Sequence, residues 1–367
     1  MDGCLHFRTF QNTALSYAGV MEIIKQAYTD SDFFGIDAIH MPVGGFLMQY
    51  LETDWAFIRR ISSHFGSYVT PSVAHTGAKY YVGRHTQQAY TMSPGTPYTA
   101  NKQVGTFMRQ SSSGLGSLQE WDYLEYQFQS RELFDLWDQI SLDSYTGYIC
   151  KIHSEYIGSE LVHTYSLRSE RGMECIPAFN QQHIGCSFDA TVNEVKQDVV
   201  RVDVMDDEND GQSNTIWFPY STVYSTPDGP GWYCMPEVGD HVRLHIPSER
   251  ERDAYVVSAV HKGDSPDRQN PDHKSIKTVY GKELLMTPNS IKLTNNKGIS
   301  IEIDDQEGIR IISDKEILIQ AASNVTVSSE DASLMISGTD SVDIVQSGAS
   351  VRLDDDIAFT GAKFRIQ

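Results

Sequence analysis

The most regular pattern of apolar and polar positions lies in the C-terminal third. Alternations of the form apolar-x-apolar begin at Ile301, Ile309, Ile317, Val325, Leu334, Val342 and Val351, at offsets of eight or nine residues. Recurrence at a fixed spacing marks an internal repeat. Each unit reads as a short strand, such as Ile301-Glu302-Ile303 or Val325-Thr326-Val327, followed by a polar turn such as Ser328-Ser329-Glu330-Asp331. Eight residues are too few for one coil of a single-chain parallel β-helix, which takes roughly twenty, so a lone chain would leave its apolar side uncovered. Three copies winding together would bury it and close the strand edges. At ~2 kcal/mol per buried Ile or Val, two per repeat, trimerisation would gain on the order of 25 kcal/mol per chain before ordering entropy is subtracted. The predicted trimer core is Ile301, Ile303, Ile309, Ile311, Ile317, Ile319, Val325, Val327, Leu334, Ile336, Val342, Ile344, Val351 and Leu353.

Upstream the pattern changes. Val20, Ile23, Ile24 and Ala27 recur on one helical face behind Ser16, a residue suited to cap it. A second helix is predicted from Thr53 or Asp54 as cap, with Trp55, Ile58, Ile61 and Phe65 apolar and Gly66 as the stop. Residues 86–119 turn to Gln, Ser, Thr, Gly and Pro and read as a long exposed connection. Strand-like runs at 123–128, 147–153 and 161–167 predict one small β-barrel. Between 184 and 262, runs at 188–195, 199–204, 215–218, 241–246 and 254–260, with turns at 206–212 and 227–231, have the length of a five-stranded barrel, for which an OB-fold is the natural candidate. The fold class is therefore mainly β with a small α+β part. It is divided as 1–175, 180–263 for the OB-fold, a linker at 264–290, and the trimeric β-helix at 291–367.

Charge then narrows the partners. With 49 acidic against 29 basic residues the formal charge is -20, which argues against nucleic acid as a ligand, because such binding rests on phosphate neutralisation. Proteins are the expected partners. No stretch reaches the ~20 apolar residues of a membrane span, and the N-terminus lacks a basic-then-apolar signal pattern, so synthesis in the cytoplasm is expected. The five cysteines, Cys4, Cys150, Cys175, Cys186 and Cys234, form no CxxC pair and read as reduced, mostly buried residues.

Candidate chemistry is sparse. His241 and His245 share a strand face but lie about 13 Å apart at strand rise, too far for one metal. Asp354-Asp355-Asp356 reads as a solvated turn rather than a cation site. Asp304, Asp305 and Glu302 would need a groove to cleave a glycan, and a narrow needle offers none. Cys186 and His183 lack a third orienting group. The mixed run Glu249-Arg250-Glu251-Arg252-Asp253 reads as a solvated face. No catalytic residue, cofactor or metal is expected.

Four motifs carry a resemblance. They are Gln49-Tyr50-Leu51-Glu52-Thr53-Asp54-Trp55-Ala56-Phe57-Ile58-Arg59-Arg60 with Ser63-His64-Phe65-Gly66; Phe10-Gln11-Asn12-Thr13 with Leu15-Ser16-Tyr17; Trp217-Phe218-Pro219, Pro236-Glu237-Val238-Gly239-Asp240 and Tyr255-Val256-Val257; and Lys274-Ser275-Ile276-Lys277-Thr278 through Gly281-Lys282-Glu283. In this order they resemble the VgrG-like, phage late-control-D-like hub and spike proteins of contractile tails and type VI secretion. The resemblance implies a homotrimer that caps an inner tube, organises a baseplate and pierces an envelope, with inner-tube and baseplate proteins as partners and a tip protein or noncovalent effector at its point. It also implies assembly into a particle ejected on contraction, with no stable membrane insertion before firing. Family hubs carry two related barrels, and only the one around 123–167 is expected here; the start is truncated or a separate chain supplies the other. No lysozyme-like insertion is expected before the needle and no effector domain after it. The rival readings are a glycan-binding or glycan-cleaving tail fibre and an effector carrier.

Overall fold

A computed structural model describes residues 3–35, 37–72, 75–84, 88–111, 119–209, 214–263, 265–363 and 365. The chain divides into two compact units, Met1–Gly263 and Asp264–Gln367.

The first unit opens with β1 (His6–Phe10), α1 (Tyr17–Lys25), β2 (Asp32–Gly35), β3 (Leu47–Glu52), α2 (Asp54–Ser63), β4 (Val69–Pro71) and β5 (Lys79–Val82). Both helices start where sequence places them. The Ser16 hydroxyl accepts from the Gly19 N–H and the Thr53 hydroxyl from the Ala56 N–H, each satisfying a donor the first turn leaves free. Their buried faces meet in one core, where Val20, Met21, Ile24, Phe57, Ile58 and Ile61 pack with Phe10, Leu47, Tyr80 and Val82. Gly66 ends the second helical stretch with φ +73, a conformation that costs glycine nothing.

Next come β6 (Ala89–Thr91), β7 (Tyr98–Lys102), α3 (Val104–Ser111), β8 (Leu124–Ser130), β9 (Gln139–Ser141), β10 (Thr146–Ile157) and β11 (Glu160–Arg168). They correct two expectations. The small barrel is a six-stranded sheet of order β6-β9-β10-β11-β8-β7, whose edges are not bonded to each other among the described residues. The polar run after 86 is not a simple connection, because it supplies both edge strands and α3. Residues 86, 87 and 112–118 of that run lie outside the described residues. Edge strands need only one ladder of backbone bonds and keep a solvated side, so polar residues such as those of β7, exposed throughout, serve as well as apolar ones. The sheet core is Phe128, Phe134, Ile140, Leu142, Ile149, Tyr165 and Leu167.

A tight contact closes this region. Gly172 lies so close to the Asp122 carbonyl that a β-carbon would stand 2.1 Å from its oxygen. Gly172→Ala should therefore destabilise the unit by roughly 1–3 kcal/mol, visible as a lower melting temperature. An unchanged melting temperature would contradict that packing.

The OB expectation holds. The strands β12 (Ser187–Lys196), β13 (Val199–Val204), β14 (Phe218–Ser221), β15 (His241–His245) and β16 (Tyr255–Val257) close into a barrel of order β12-β13-β14-β16-β15, with β14 and β16 parallel. One strand is displaced, since 215–218 was expected and β14 begins at Phe218. The cause is local: the Thr215 and Ile216 N–H groups are drawn to the Gln11 carbonyl, and Trp217 turns outward under the Arg201 guanidinium, 4.2 Å from its ring. Glu237 to Asp240 form a turn before β15, with Gly239 at φ +94 and the Asp240 carboxylate accepting from the Glu237 N–H. The turn predicted at 206–212 is described only as far as Asn209.

The second unit holds an antiparallel meander, β17 (Lys274–Lys277), β18 (Glu283–Met286), β19 (Ser290–Thr294), β20 (Ser300–Asp304) and β21 (Gly308–Ile312), and a separate three-stranded sheet, β22 (Val342–Gln346), β23 (Ala349–Leu353) and β24 (Ile357–Gly361). Residues 264–290, expected as a linker, already contain β17 and β18. Strands form at Ile301, Ile309, Val342 and Val351 as the repeat predicts, but none forms at Ile317, Val325 or Leu334. The formed strands pair with their own neighbours in the chain, Ile301 opposite Ile311 and Ile303 opposite Ile309.

Candidate functional site

The most distinctive surface is one face of the meander. Strand side chains alternate between faces, so the register decides what each face presents. Ile276 stands opposite Leu284, Leu284 opposite Leu293, Leu293 opposite Ile301 and Ile301 opposite Ile311. Beside that row run Met286, Ile291, Ile303 and Ile309. The opposite face carries Ser275, Leu285, Lys292, Glu302 and Arg310 in one row. One side of the sheet is thus apolar apart from Lys274, opposite Met286, yet it is open: Ile309 is 70% exposed and Ile311 55%. A patch of this kind on a soluble protein marks a surface built to be covered.

The three-stranded sheet repeats the arrangement. Val342, Leu353 and Ile357 form one cross-strand row, and Ile344, Val351 and Phe359 the next. Asp343, Arg352 and Ala358 face the other way. Eight predicted core residues, Ile301, Ile303, Ile309, Ile311, Val342, Ile344, Val351 and Leu353, therefore sit on the apolar faces of two sheets. The other six, Ile317, Ile319, Val325, Val327, Leu334 and Ile336, are exposed and outside any strand. The structure of one chain does not gather the fourteen into one core. Sequence reasoning missed Ile276, Leu284, Met286, Ile291 and Leu293 as core residues, which extend the same apolar face upstream; the first three lie in the stretch read as a linker.

The first unit is held together by buried ions. Glu251, read as part of a solvated run, is buried, and its carboxylate accepts from Arg60 at 2.7 Å. Arg60 also meets Glu52 and donates to the Met48 carbonyl, so α2, β3 and the loop before β16 share one guanidinium. Burial pushes the Glu52 carboxyl up, against the opposing charge of Arg60. A second node binds Asp54 to Arg8, Gln49 and Tyr28. Burial opposes ionisation of Asp54, but the hydrogen bonds from Tyr28 and Gln49 and the Arg8 charge outweigh it and hold the carboxyl below its ordinary range. A folded pKa below the unfolded one gives stability that is present at neutral pH and lost as pH falls through the folded value. Asp54→Asn should flatten the acid limb of a melting-temperature profile against pH; an identical limb in the variant would contradict this role. Around these nodes Phe46, just before β3, and Met48 of β3 enter the barrel core, with Phe7 stacked on Phe188 at 5.2 Å.

The remaining candidates stay apart. His245 meets the Ser187 hydroxyl at 2.9 Å and packs edge-on against Tyr255, while His241 lies on the same strand toward Thr191. Cys186 and His183 are joined by a backbone bond, and the Cys186 thiol donates to the Gln182 carbonyl. Asp354 accepts from Arg352 and from the Asp356 N–H, closing a turn. Among the described residues no group of three or more His, Cys, Asp or Glu side chains is placed to hold a metal ion. The cysteines are free as expected, but none is fully buried: Cys4 and Cys234 are exposed and the others half-buried. Burial pushes the Cys150 thiol up to about 11, which keeps it protonated and inert. No helix among the described residues is long and apolar enough to cross a membrane.

No curated protein matches the chain in sequence. Similar solved structures include a lidless PdpA–VgrG complex, at 9% identity over 83% of this chain and 77% of that chain with a TM-score of 0.47. The half-lidded Francisella PdpA–VgrG complex follows at 8% identity, 83% and 69% coverage and a TM-score of 0.46. A 43 kDa tail protein of prophage MuSo2 from Shewanella oneidensis is similar at 9% identity, 46% and 66% coverage and a TM-score of 0.35. Likeness at TM-scores below 0.5 carries no argument about what this chain does. The sequence family speaks more directly, because residues 188–261 match the model of the type VI secretion system and phage-baseplate injector OB domain. That span takes in all five strands of the closed barrel except the first residue of β12. Residues 188–261 thus match the injector OB-domain family.

Proposed function

We propose that this chain is the hub and central spike subunit of a contractile injection machine. In this reading three copies assemble, with their apolar C-terminal faces turned inward as a needle and their N-terminal units meeting the inner tube and baseplate. The role is mechanical rather than enzymatic. The single observation that carries the reading is the injector OB domain at 188–261 followed directly by strands with one apolar, uncovered face. A needle sealed by side chains from three copies resists unfolding, because its strands cannot part without exposing the core. The fourteen residues from Ile301 to Leu353 named above are its proposed core, joined by Ile276, Leu284, Met286, Ile291 and Leu293. A tip protein or noncovalent effector would sit beyond it, and the whole would be ejected when the sheath contracts.

The test is genetic and visual. Deleting the gene in the producing bacterium should abolish sheathed particles with a complete baseplate, as seen by negative-stain electron microscopy. Particles of normal number and shape that still fire would overturn the proposal.

A further inference from the structure

A cavity of about 340 Å³ lies within the first unit, between Tyr68, Val69 and Thr70 at β4 and the strands β8, β10 and β11 of the six-stranded sheet. Leu136, Trp137, Ile149 and Met173 make its walls apolar, and a few polar groups stand among them, which is the usual make-up of a small ligand site. Two backbone irregularities build it. Ile149 stands opposite Leu167 and Lys151 opposite Ser166, so Cys150 is an extra residue that bulges β10. A regular strand would turn only alternate side chains to the cavity, whereas the bulge brings Ile149, Cys150 and Lys151 to it in succession. Trp137 is the second irregularity, with φ 73, a conformation rare for a bulky residue and strained by on the order of 1–3 kcal/mol. A backbone clasp to β10 enforces it: the Trp137 N–H donates to the Ile149 carbonyl at 2.9 Å and the Ile149 N–H to the Asp138 carbonyl at 3.0 Å. Strain that holds an aromatic ring at a cavity wall points to a use for that ring.

The charged lining is unbalanced. Arg168 spends Nε and Nη2 on one oxygen of Glu125, at 3.2 and 2.8 Å, and its Nη1 has no hydrogen-bond partner among the described residues. Lys151 makes no ion pair among them. Two cations therefore face one carboxylate, which leaves a net positive charge in a chain whose formal charge is -20. The Arg168 side chain is only 21% exposed. An open donor on a mostly buried guanidinium gains more from an anion than one in bulk water would. The Cys150 thiol adds no negative charge, because it is protonated and donates to the Ser166 carbonyl at 3.2 Å.

We propose that this cavity binds a carboxylate carried on an aromatic or aliphatic group, with the carboxylate on Arg168 and Lys151 and the apolar part against Trp137, Leu136 and Met173. One negative charge balances the lining, and a phosphate dianion would exceed it. The volume is at the small end for ligand sites, which suits a single aromatic or branched group rather than a long chain. The same chemistry has two sources, a free organic acid or the C-terminal residue of another protein chain. The proposal rests on residues of the first unit alone and does not depend on the trimer.

Titration calorimetry on the full-length protein tests this with four probes: 3-phenylpropionate, its neutral amide, N-acetyl-diglycyl-phenylalanine with a free carboxylate, and inorganic phosphate. At least one of the two carboxylates is expected to saturate the protein with a Kd of roughly 1 mM or tighter. The amide should bind at least about tenfold more weakly, because it lacks the charge that the two cations hold. Tighter binding of the peptide names a chain terminus as the source, and binding of the free acid alone names a small molecule. Two variants read the site itself. Lys151→Glu reverses the charge of an exposed side chain without disturbing the core, and Trp137→Gly removes the ring while suiting the backbone at φ 73. With folding checked by the melting temperature, each should weaken carboxylate binding by about threefold or more. No saturation by either carboxylate up to ~10 mM, equal binding of the amide, tighter binding of phosphate, or unchanged binding in both variants would overturn the proposal.

Discussion

Replacing Arg60 by methionine is expected to cost the first unit about 3–5 kcal/mol, because it strands the buried Glu251 carboxylate and the partly buried Glu52 carboxylate without their cation. Glu251 and Glu52 both point at this guanidinium, and Arg60 is 4% exposed, so water cannot take its place. For a unit of this size the loss corresponds to a melting temperature lower by roughly 6–20 °C. The pH dependence gives a further signature. The Glu52 carboxyl is already raised in the folded protein, chiefly by burial and partly by Glu251. An acid whose folded pKa lies above its unfolded one costs stability when ionised, and the cost disappears as pH falls through that folded value. Without Arg60 the cost is larger, so the gap in melting temperature between variant and parent should narrow as the pH is lowered. A gap that widens on acidification would show that the two carboxylates are not what the arginine holds.

Introducing charge into the apolar face should have the second large effect. Ile303 and Ile309 stand directly opposite each other on neighbouring strands. Ile303→Lys with Ile309→Lys places two like charges side by side and removes apolar area worth on the order of 2 kcal/mol per side chain, in every copy. Within one chain Ile303 is 49% and Ile309 70% exposed, so a lone chain should tolerate the change with its first unit intact. An assembly that buries them should not. The expected outcome in light scattering is dissociation, with the melting temperature of the first unit unchanged. Retained assembly would place the interface elsewhere.

Much of this was readable in the residues. Ser16 and Thr53 announced their helices because a capping hydroxyl ahead of an apolar helical face is a local signal, satisfied within four residues. The OB strands were legible for the same reason, as 188–195 and 199–204 alternate cleanly. The polar edges β6 and β7 escaped notice because edge strands draw their stability from backbone bonds to β9 and β8, which composition does not record. Glu251 looked solvated because its partner, Arg60, is 191 residues away in sequence. Phe46 and Met48 gave no hint that they finish the barrel core, since that contact is set by tertiary packing alone. In the C-terminal unit the eight-residue repeat was visible, but repetition does not say whether strands pair within a chain or between chains.

The mass of the full-length chain in solution bears most directly on the whole account. The chain weighs 41.2 kDa, and three copies amount to 3 × 41.2 = 123.6 kDa. Size-exclusion chromatography with light scattering should return the trimer mass over a wide concentration range, and a stable, folded species at the mass of one chain would contradict the spike.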